Sequence, residues 1–352
     1  MLVMGMLTKR QIQILNLAVS HFIKSAEPVA SRTLVKAYRL SVGPATIRNE
    51  MADLEEMGYL EQPHTSAGRV PTDRGYREYV DSHGASSLSE AEKNRILELE
   101  NTYLRVAAEF HQILESALKV LAEVTNLVGV AALPRLDESR FDKIQLLEVG
   151  HRKVLVVLVT GSGSVETHVV AVDIDIPQEK LDQISRIFNE NFSRSSIRNF
   201  IEGYVEVLRE IRDEYGAAIN AILNSFFSRV SLGGESAHEV LVEGASLMFR
   251  QPEFASFERA RELVDSTAYR EGIARVVSDL APALDAPSVR IGQENRSRAL
   301  RDLSLVMCPF SPDEGSSGAI GILGPRRMDY PKVMAIVDHI SKLLAKALKR
   351  AG

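Results

Sequence analysis

Residues 41–72 run Ser41-Val42-Gly43-Pro44-Ala45-Thr46-Ile47-Arg48-Asn49-Glu50-Met51, then on through Gly58-Tyr59-Leu60 to His64-Thr65-Ser66-Ala67-Gly68-Arg69-Val70-Pro71-Thr72. They read as a turn, a helix and a hairpin. Gly43 suits the N-cap and Pro44 the first helical position, where a missing N–H costs nothing. Gly58 suits a left-handed helix end. Ile47, Met51 and Leu54 recur at four- and three-residue spacing and form one buried stripe. The opposite face carries Ala45, Asn49 and Ala52, with Arg48 on its flank. Arg pairs bidentately with guanine and Asn with adenine in the major groove. Glu55 and Glu56 in the last turn would repel phosphate, so the N-terminal half is the end expected to enter a groove. Taken alone, the helix reads equally as an ordinary amphipathic surface helix.

The flanking sequence decides between these readings. Thr8 and Gln11 form a capping box ahead of a helix with Ile12, Leu15, Val19 and Phe22 on one face. Ser31 is expected to cap a second helix over 32–38. Tyr59-Leu60-Glu61 begins a strand and Gly68-Arg69-Val70 its return, around a small, polar tip, Pro63-His64-Thr65-Ser66-Ala67. Helix, short helix, turn, helix and basic hairpin is the order of a winged helix-turn-helix. Ala45, Arg48 and Asn49 are expected to read bases. Thr46, His64 and Arg69 are expected to hold the backbone or minor groove, with Arg32, Thr65 and Ser66 the remaining DNA-binding candidates.

Composition neither helps nor forbids this. The chain has 352 residues, 45% hydrophobic and 25% charged, with a net charge of −5. That is a soluble-globular composition of two or three domains. Residues 1–83 hold ten Lys/Arg against nine Asp/Glu, so DNA affinity must come from local placement of Arg32, Lys36, Arg39, Arg48, Arg69, Arg74 and Arg77. One cysteine excludes a disulfide framework and a cysteine-based zinc site, and fits a reducing cytoplasm. The longest fully apolar run, Val154 to Val159, is too short to span a membrane. Met1 to Leu7 does not read as a signal peptide.

Further along, residues 72–81 read as a short helix and 82–87 as a linker. Ser89 and Glu92 form a second capping box. The apolar residues from Ile96 to Val124 alternate by three and four, so one helix is expected to reach Asn126. It reads either as a dimer coiled coil or, preferably, as a helix packed on its own domain. Strands are expected over 154–160 and 165–172, around a Gly161-Ser162-Gly163-Ser164 turn. Helices follow over 177–227, then a strand-plus-turn around Gly244 and helices over 257–264 and 270–280. Strands over 289–291, 303–307 and 319–323 precede a final helix capped by Asp329. Helices between strand-rich halves suggest an insertion into an α+β domain.

Chemistry-bearing motifs are missing. The histidines lack HExxH or His-x₃-His spacing, and no GxSxG, Walker A or strand–GxGxxG–helix unit occurs. Cys308 sits in an apolar strand and reads as a buried structural thiol. Gly318, Gly321 and Gly324 are put down to strand and turn geometry, and Gln293-Glu294-Asn295 to a turn or an interface. No enzyme, cofactor or metal site is expected.

The chain resembles the HrcA family of bacterial heat-inducible transcription repressors. The resemblance rests on Pro44 to Glu55, Gln62 to Thr72, Glu243-Gly244-Ala245-Ser246 with Gln251-Pro252-Glu253-Phe254, Ile291-Gly292-Gln293-Glu294-Asn295, and Gly318 to Gly324 with Pro325, Arg327-Met328-Asp329-Tyr330 and Lys332. It departs in having Gly43-Pro44 where the family often has Ser. The resemblance implies an α+β multidomain chain. On that resemblance a winged helix is expected over 1–86, a GAF-like domain split over 87–173 and 253–352, and a mainly helical dimerisation domain inserted at 174–252. It also implies a homodimer on double-stranded DNA bearing the CIRCE inverted repeat, with a chaperonin as regulator. The alternative is a winged-helix regulator controlled by a small molecule in its GAF-like domain.

Overall fold

The computed structural model describes residues 7–351 except 65–66, 106, 108, 135, 137–138, 211–214, 232–239, 251–252, 254–286, 296, 298–299 and 312–316. The chain opens with helices α1 (Lys9–Ser25), α2 (Ser31–Tyr38) and α3 (Pro44–Glu56). An antiparallel pair follows, β1 (Leu60–Glu61) and β2 (Val70–Pro71), and then α4 (Asp73–His83). The Thr8–Gln11 capping box forms, with reciprocal bonds of 3.2 and 3.0 Å. Ser31 is not a cap: Ala30 holds that place, in extended conformation and with no side-chain bond, and Ser31 is the first helical residue.

The body is a five-stranded antiparallel sheet in the order β7-β3-β10-β9-β8. Its strands are β3 (Val128–Ala132), β7 (Val240–Glu243), β8 (Ser288–Ile291), β9 (Leu303–Phe310) and β10 (Gly318–Pro325). Every residue of β3 and β10 is buried, so the sheet centre is covered on both faces. On one face Ala131, Val306, Cys308, Ile320 and Ile322 share a core with α6 (Phe110–Thr125) and with the final helix, numbered α10 (Tyr330–Ala351) among the described helices. The β10 glycines answer to packing rather than to turn geometry. A Cβ on Gly321 would lie 2.0 Å from the Val306 carbonyl oxygen of the neighbouring strand.

The expected single helix over residues 89–126 is broken. After α5 (Glu90–Leu99) comes a π-helical turn, Glu100–Leu104, and α6 starts afresh at Phe110. Glu109 is extended there, at φ −100° and ψ 149°. The fold-back brings Arg95 and Tyr103 to the same carboxylate, Glu123, at 3.6 and 2.8 Å. The apolar stripe therefore closes on its own core, with Ile96, Leu99, Ile113, Ala117 and Val120 all buried in it, rather than running as a seam for a second chain.

The Ser89 box starts α5, and Glu92 also meets Lys332 at 2.6 Å across to α10. The hydrogen bond from Lys332, with those from Ser89, holds the Glu92 carboxyl down at about 2. A carboxylate depressed in the folded state stabilises above its ordinary value of 4.5 and loses that contribution as pH falls towards 2. Glu92→Gln should therefore cost about 1 kcal/mol at neutral pH. Urea midpoints compared from pH 7 down to pH 2 should show that difference closing below pH 4.5.

A second core lies apart from the first. Strands β4 (Phe141–Glu148), β5 (Lys153–Thr160) and β6 (Val165–Ala171) form an antiparallel meander. One face of it packs on α7 (Gln178–Phe192), α8 (Ile197–Glu210) and α9 (Gly216–Ser231), with Phe188, Phe200 and Phe226 buried at the centre. This corrects the expected boundary at 173/174, because β4–β6 share their core with the following helices and not with the five-stranded sheet. It corrects the boundary at 252/253 as well, because β7 pairs with β3, Gly129 opposite Glu243, and belongs to the body. The second unit thus stands where a hairpin turn between β3 and β7 would be. The helices expected over 257–264 and 270–280 lie outside the described residues.

Candidate nucleic-acid interface

Helix α3 is built as its sequence dictates. Gly43 is the N-cap, Pro44 the first residue, and Ile47, Met51 and Leu54 are fully buried. Its end is a Schellman motif: the Tyr59 amide donates to the Leu54 carbonyl and the Gly58 amide to the Glu55 carbonyl, each at 2.9 Å. Gly58 supplies the left-handed residue, at φ 76°. At the other end no side chain caps Gly43, and the first intrahelical bond runs from Ile47 to the Gly43 carbonyl at 3.2 Å. The Ala45 and Thr46 amides precede it, a helix N-terminus suited to an anion.

The face opposite the buried stripe carries the expected residues. Ala45, Arg48 and Asn49 are exposed and Thr46 is half-buried. Among the described residues no side-chain hydrogen bond or ion pair engages Arg48 or Asn49. Arg32, Lys36 and Arg39 are exposed on and after α2. His64 is exposed at the hairpin tip, and Thr65 and Ser66 lie outside the described residues.

Arg69 is placed differently from its expected position. Its Nε donates to Glu55 at 2.8 Å, and its side chain is 16% exposed. Its backbone forms an antiparallel bridge with Val29, through bonds of 2.8 and 2.9 Å, which adds a third strand segment beside β1 and β2. Gly68 permits this approach, since a Cβ there would lie 2.6 Å from the Val29 carbonyl. Arg69 thus joins the hairpin to α3 and neutralises one of the two carboxylates that would repel phosphate.

Arg74 and Arg77 are also engaged internally. Arg74 donates to the Met57 carbonyl at 2.7 Å and to the Tyr59 hydroxyl at 3.0 Å, with its guanidinium 4.2 Å from the Tyr59 ring centroid. Sequence reasoning missed this clamp, because nothing local in residues 57–77 marks a cation as used up by tertiary structure. Burial, with repulsion from Asp338 behind it, pushes the Cys308 thiol up to about 12, which makes it a packing residue and not a nucleophile.

A family model for the HrcA protein C terminal domain matches residues 111–334. The heat-inducible transcription repressor HrcA of Symbiobacterium thermophilum is 33% identical over 342 residues, covering 97% of this chain and 98% of that one. The one from Acetivibrio thermocellus is 35% identical over 347 residues, covering 98% and 97%. A crystal structure of a hypothetical protein at 2.2 Å superposes with a TM-score of 0.57 at 20% identity, over 99% of this chain and 100% of that one, a likeness of fold. The class these relatives define is that of transcription repressors, not enzymes. The match to them is close to full length on both sides. The chain belongs to the HrcA family. No helix among the described residues is long and apolar enough to cross a membrane.

Proposed function

We propose that the chain is a homodimeric repressor that binds the CIRCE inverted repeat and is kept active by a chaperonin. In this reading residues 1–86 are a winged helix, the five-stranded body is GAF-like, and β4–β6 with α7–α9 form an inserted dimerisation unit. The observation that carries DNA binding is the solvent face of α3: Arg48 and Asn49 stand exposed with no side-chain partner among the described residues, while Arg69, Arg74 and Arg77 are engaged. Arg48 and Asn49 read bases, the Ala45 and Thr46 amides meet a phosphate, and Arg32 and His64 flank them on the backbone. With residues 1–83 near neutral, one copy binds weakly and pairing is required.

The dimer reading is supported by the second unit. Strand β5 is apolar on both faces, the pattern of a strand covered on both sides. Its inner residues Val154, Val156 and Leu158 are buried on α7–α9, whereas Leu155, Val157 and Val159 face outward beside Leu147, Val165 and Val169. Val165 and Val169 are 54% and 47% exposed. A second copy of the same sheet face covers this patch with the two-fold symmetry that an inverted repeat demands. The chaperonin link rests on the family.

Immunoprecipitation of bound DNA before and after heat shock tests the whole reading. CIRCE sites upstream of chaperonin operons should be occupied beforehand and vacated afterwards, and occupancy indifferent to heat would contradict it. The position of Arg69 gives a finer expectation. Arg69→Ala should weaken binding by loosening the hairpin while leaving the slope of log affinity against log salt unchanged, because the residue neutralises Glu55 and not a phosphate. Titrations at two or more salt concentrations measure that slope.

A further inference from the structure

Three of the segments that carry the family resemblance lie far from α3 and converge on one seam. There α4 and the end of α1 meet the body. Asp73 accepts from the Gln293 amide at 2.9 Å and from Arg326 at 3.0 Å. Arg77 forks onto Glu294, Nε to Oε1 at 2.8 Å with a second, shorter contact from Nη2, and also donates to the Val289 carbonyl at 2.7 Å. Glu294 is held for this by the Ile291 amide at 2.9 Å. Arg327 donates to the Ile23 carbonyl at 2.7 Å and pairs with Glu253. Gly292, at φ 51°, makes the seat: a Cβ there would lie 2.2 to 2.4 Å from the Asp73 carboxyl group.

The other flank of α4 is locked to α3. Thr72 donates to the Gly58 carbonyl at 2.7 Å, Arg74 clamps Met57 and Tyr59, and a Cβ on Gly75 would lie 2.2 Å from the Tyr59 carbonyl oxygen. A continuous path of short bonds thus runs from the five-stranded sheet through α4 to the end of α3. Beneath it Tyr76 and Tyr330 are buried, ring centroids 5.8 Å apart. That apolar contact supplies attraction without direction. Forked guanidinium–carboxylate pairs supply angle.

We propose that Asp73, Arg77, Glu294 and Arg326 are positioning residues that fix how α3 is aimed relative to the body, and so set which separation of half-sites the dimer accepts. This rests on the inverted-repeat reading above. None of the four contacts DNA in it; they act through α4. Each base pair added between half-sites turns one of them by roughly a tenth of a turn, so a rigid aim makes affinity depend steeply on spacer length.

The test uses the full chain and three kinds of duplex: the CIRCE repeat, a single half-site, and CIRCE with its spacer lengthened by one to five base pairs. Asp73→Asn, Arg77→Met and Gly292→Ala should bind the half-site as the wild type does. Their preference for the natural spacer over the others should shrink by about tenfold or move to another length. A wild-type spacer profile in variants with normal half-site binding would overturn the proposal. So would an equal loss on half-site and full site, which would mean that the residues serve only the folding of the N-terminal unit. A wild-type chain indifferent to spacer length would overturn the inverted-repeat reading itself.

Discussion

Arg48→Ala combined with Asn49→Ala is expected to abolish discrimination between CIRCE and unrelated DNA while leaving the fold in place and lowering the non-specific affinity only by the loss of one cation. Both side chains are exposed on α3 and support nothing in the core, which on this helix is made by Ile47, Met51 and Leu54. Each bidentate base contact is worth about 1–3 kcal/mol of discrimination, so the pair should account for about 2–6 kcal/mol if the contacts are independent. Competition titrations with specific and shuffled duplexes read this directly. Unchanged specificity in the double variant would remove α3 from the groove.

The second large effect is expected at the outer face of the three-stranded sheet. Val157→Glu puts a charge at the middle of β5, opposite Thr167 on β6 and Gln145 on β4. Val157 is only half-buried within one chain, so the monomer should fold with little penalty. In a dimer covered at that face the carboxylate would be desolvated without a partner, which is costly. Sedimentation should therefore show a monomer. Affinity for the full repeat should fall by about 10²–10⁴-fold as the second half-site ceases to be tethered, with half-site binding unchanged. A Val157→Glu protein that stays dimeric would move the interface elsewhere.

What could be read from sequence alone divides along a physical line. Local signals succeeded, apart from the expected Ser31 cap. The Thr8 and Ser89 capping boxes, Pro44 at the start of α3, the Ile47–Met51–Leu54 stripe and the Gly161–Ser164 hairpin all depend on residues a few positions apart. Non-local pairings were not legible. Alternation in 141–171 announces strands but does not say which sheet they join, so the insert was expected to begin after β6 rather than before β4. The three- and four-residue spacing of 96–124 is satisfied equally by one helix or by two that fold back, and the break at Glu109 has no proline or glycine to mark it. The exposed face of α3 was legible because it is the complement of a buried stripe. The roles of Arg69, Arg74 and Arg77 were not, because their partners Glu55, Met57 and Glu294 are chosen by tertiary structure.

The central claim is that two copies of α3, held by the rest of the chain, read a two-fold symmetric site. Its most direct measurement is the affinity of the intact protein for CIRCE against a duplex carrying the same half-sites in direct orientation, with the same spacer and composition. The inverted arrangement should bind tighter by about 10²-fold or more. Equal affinity for the two duplexes would contradict the account.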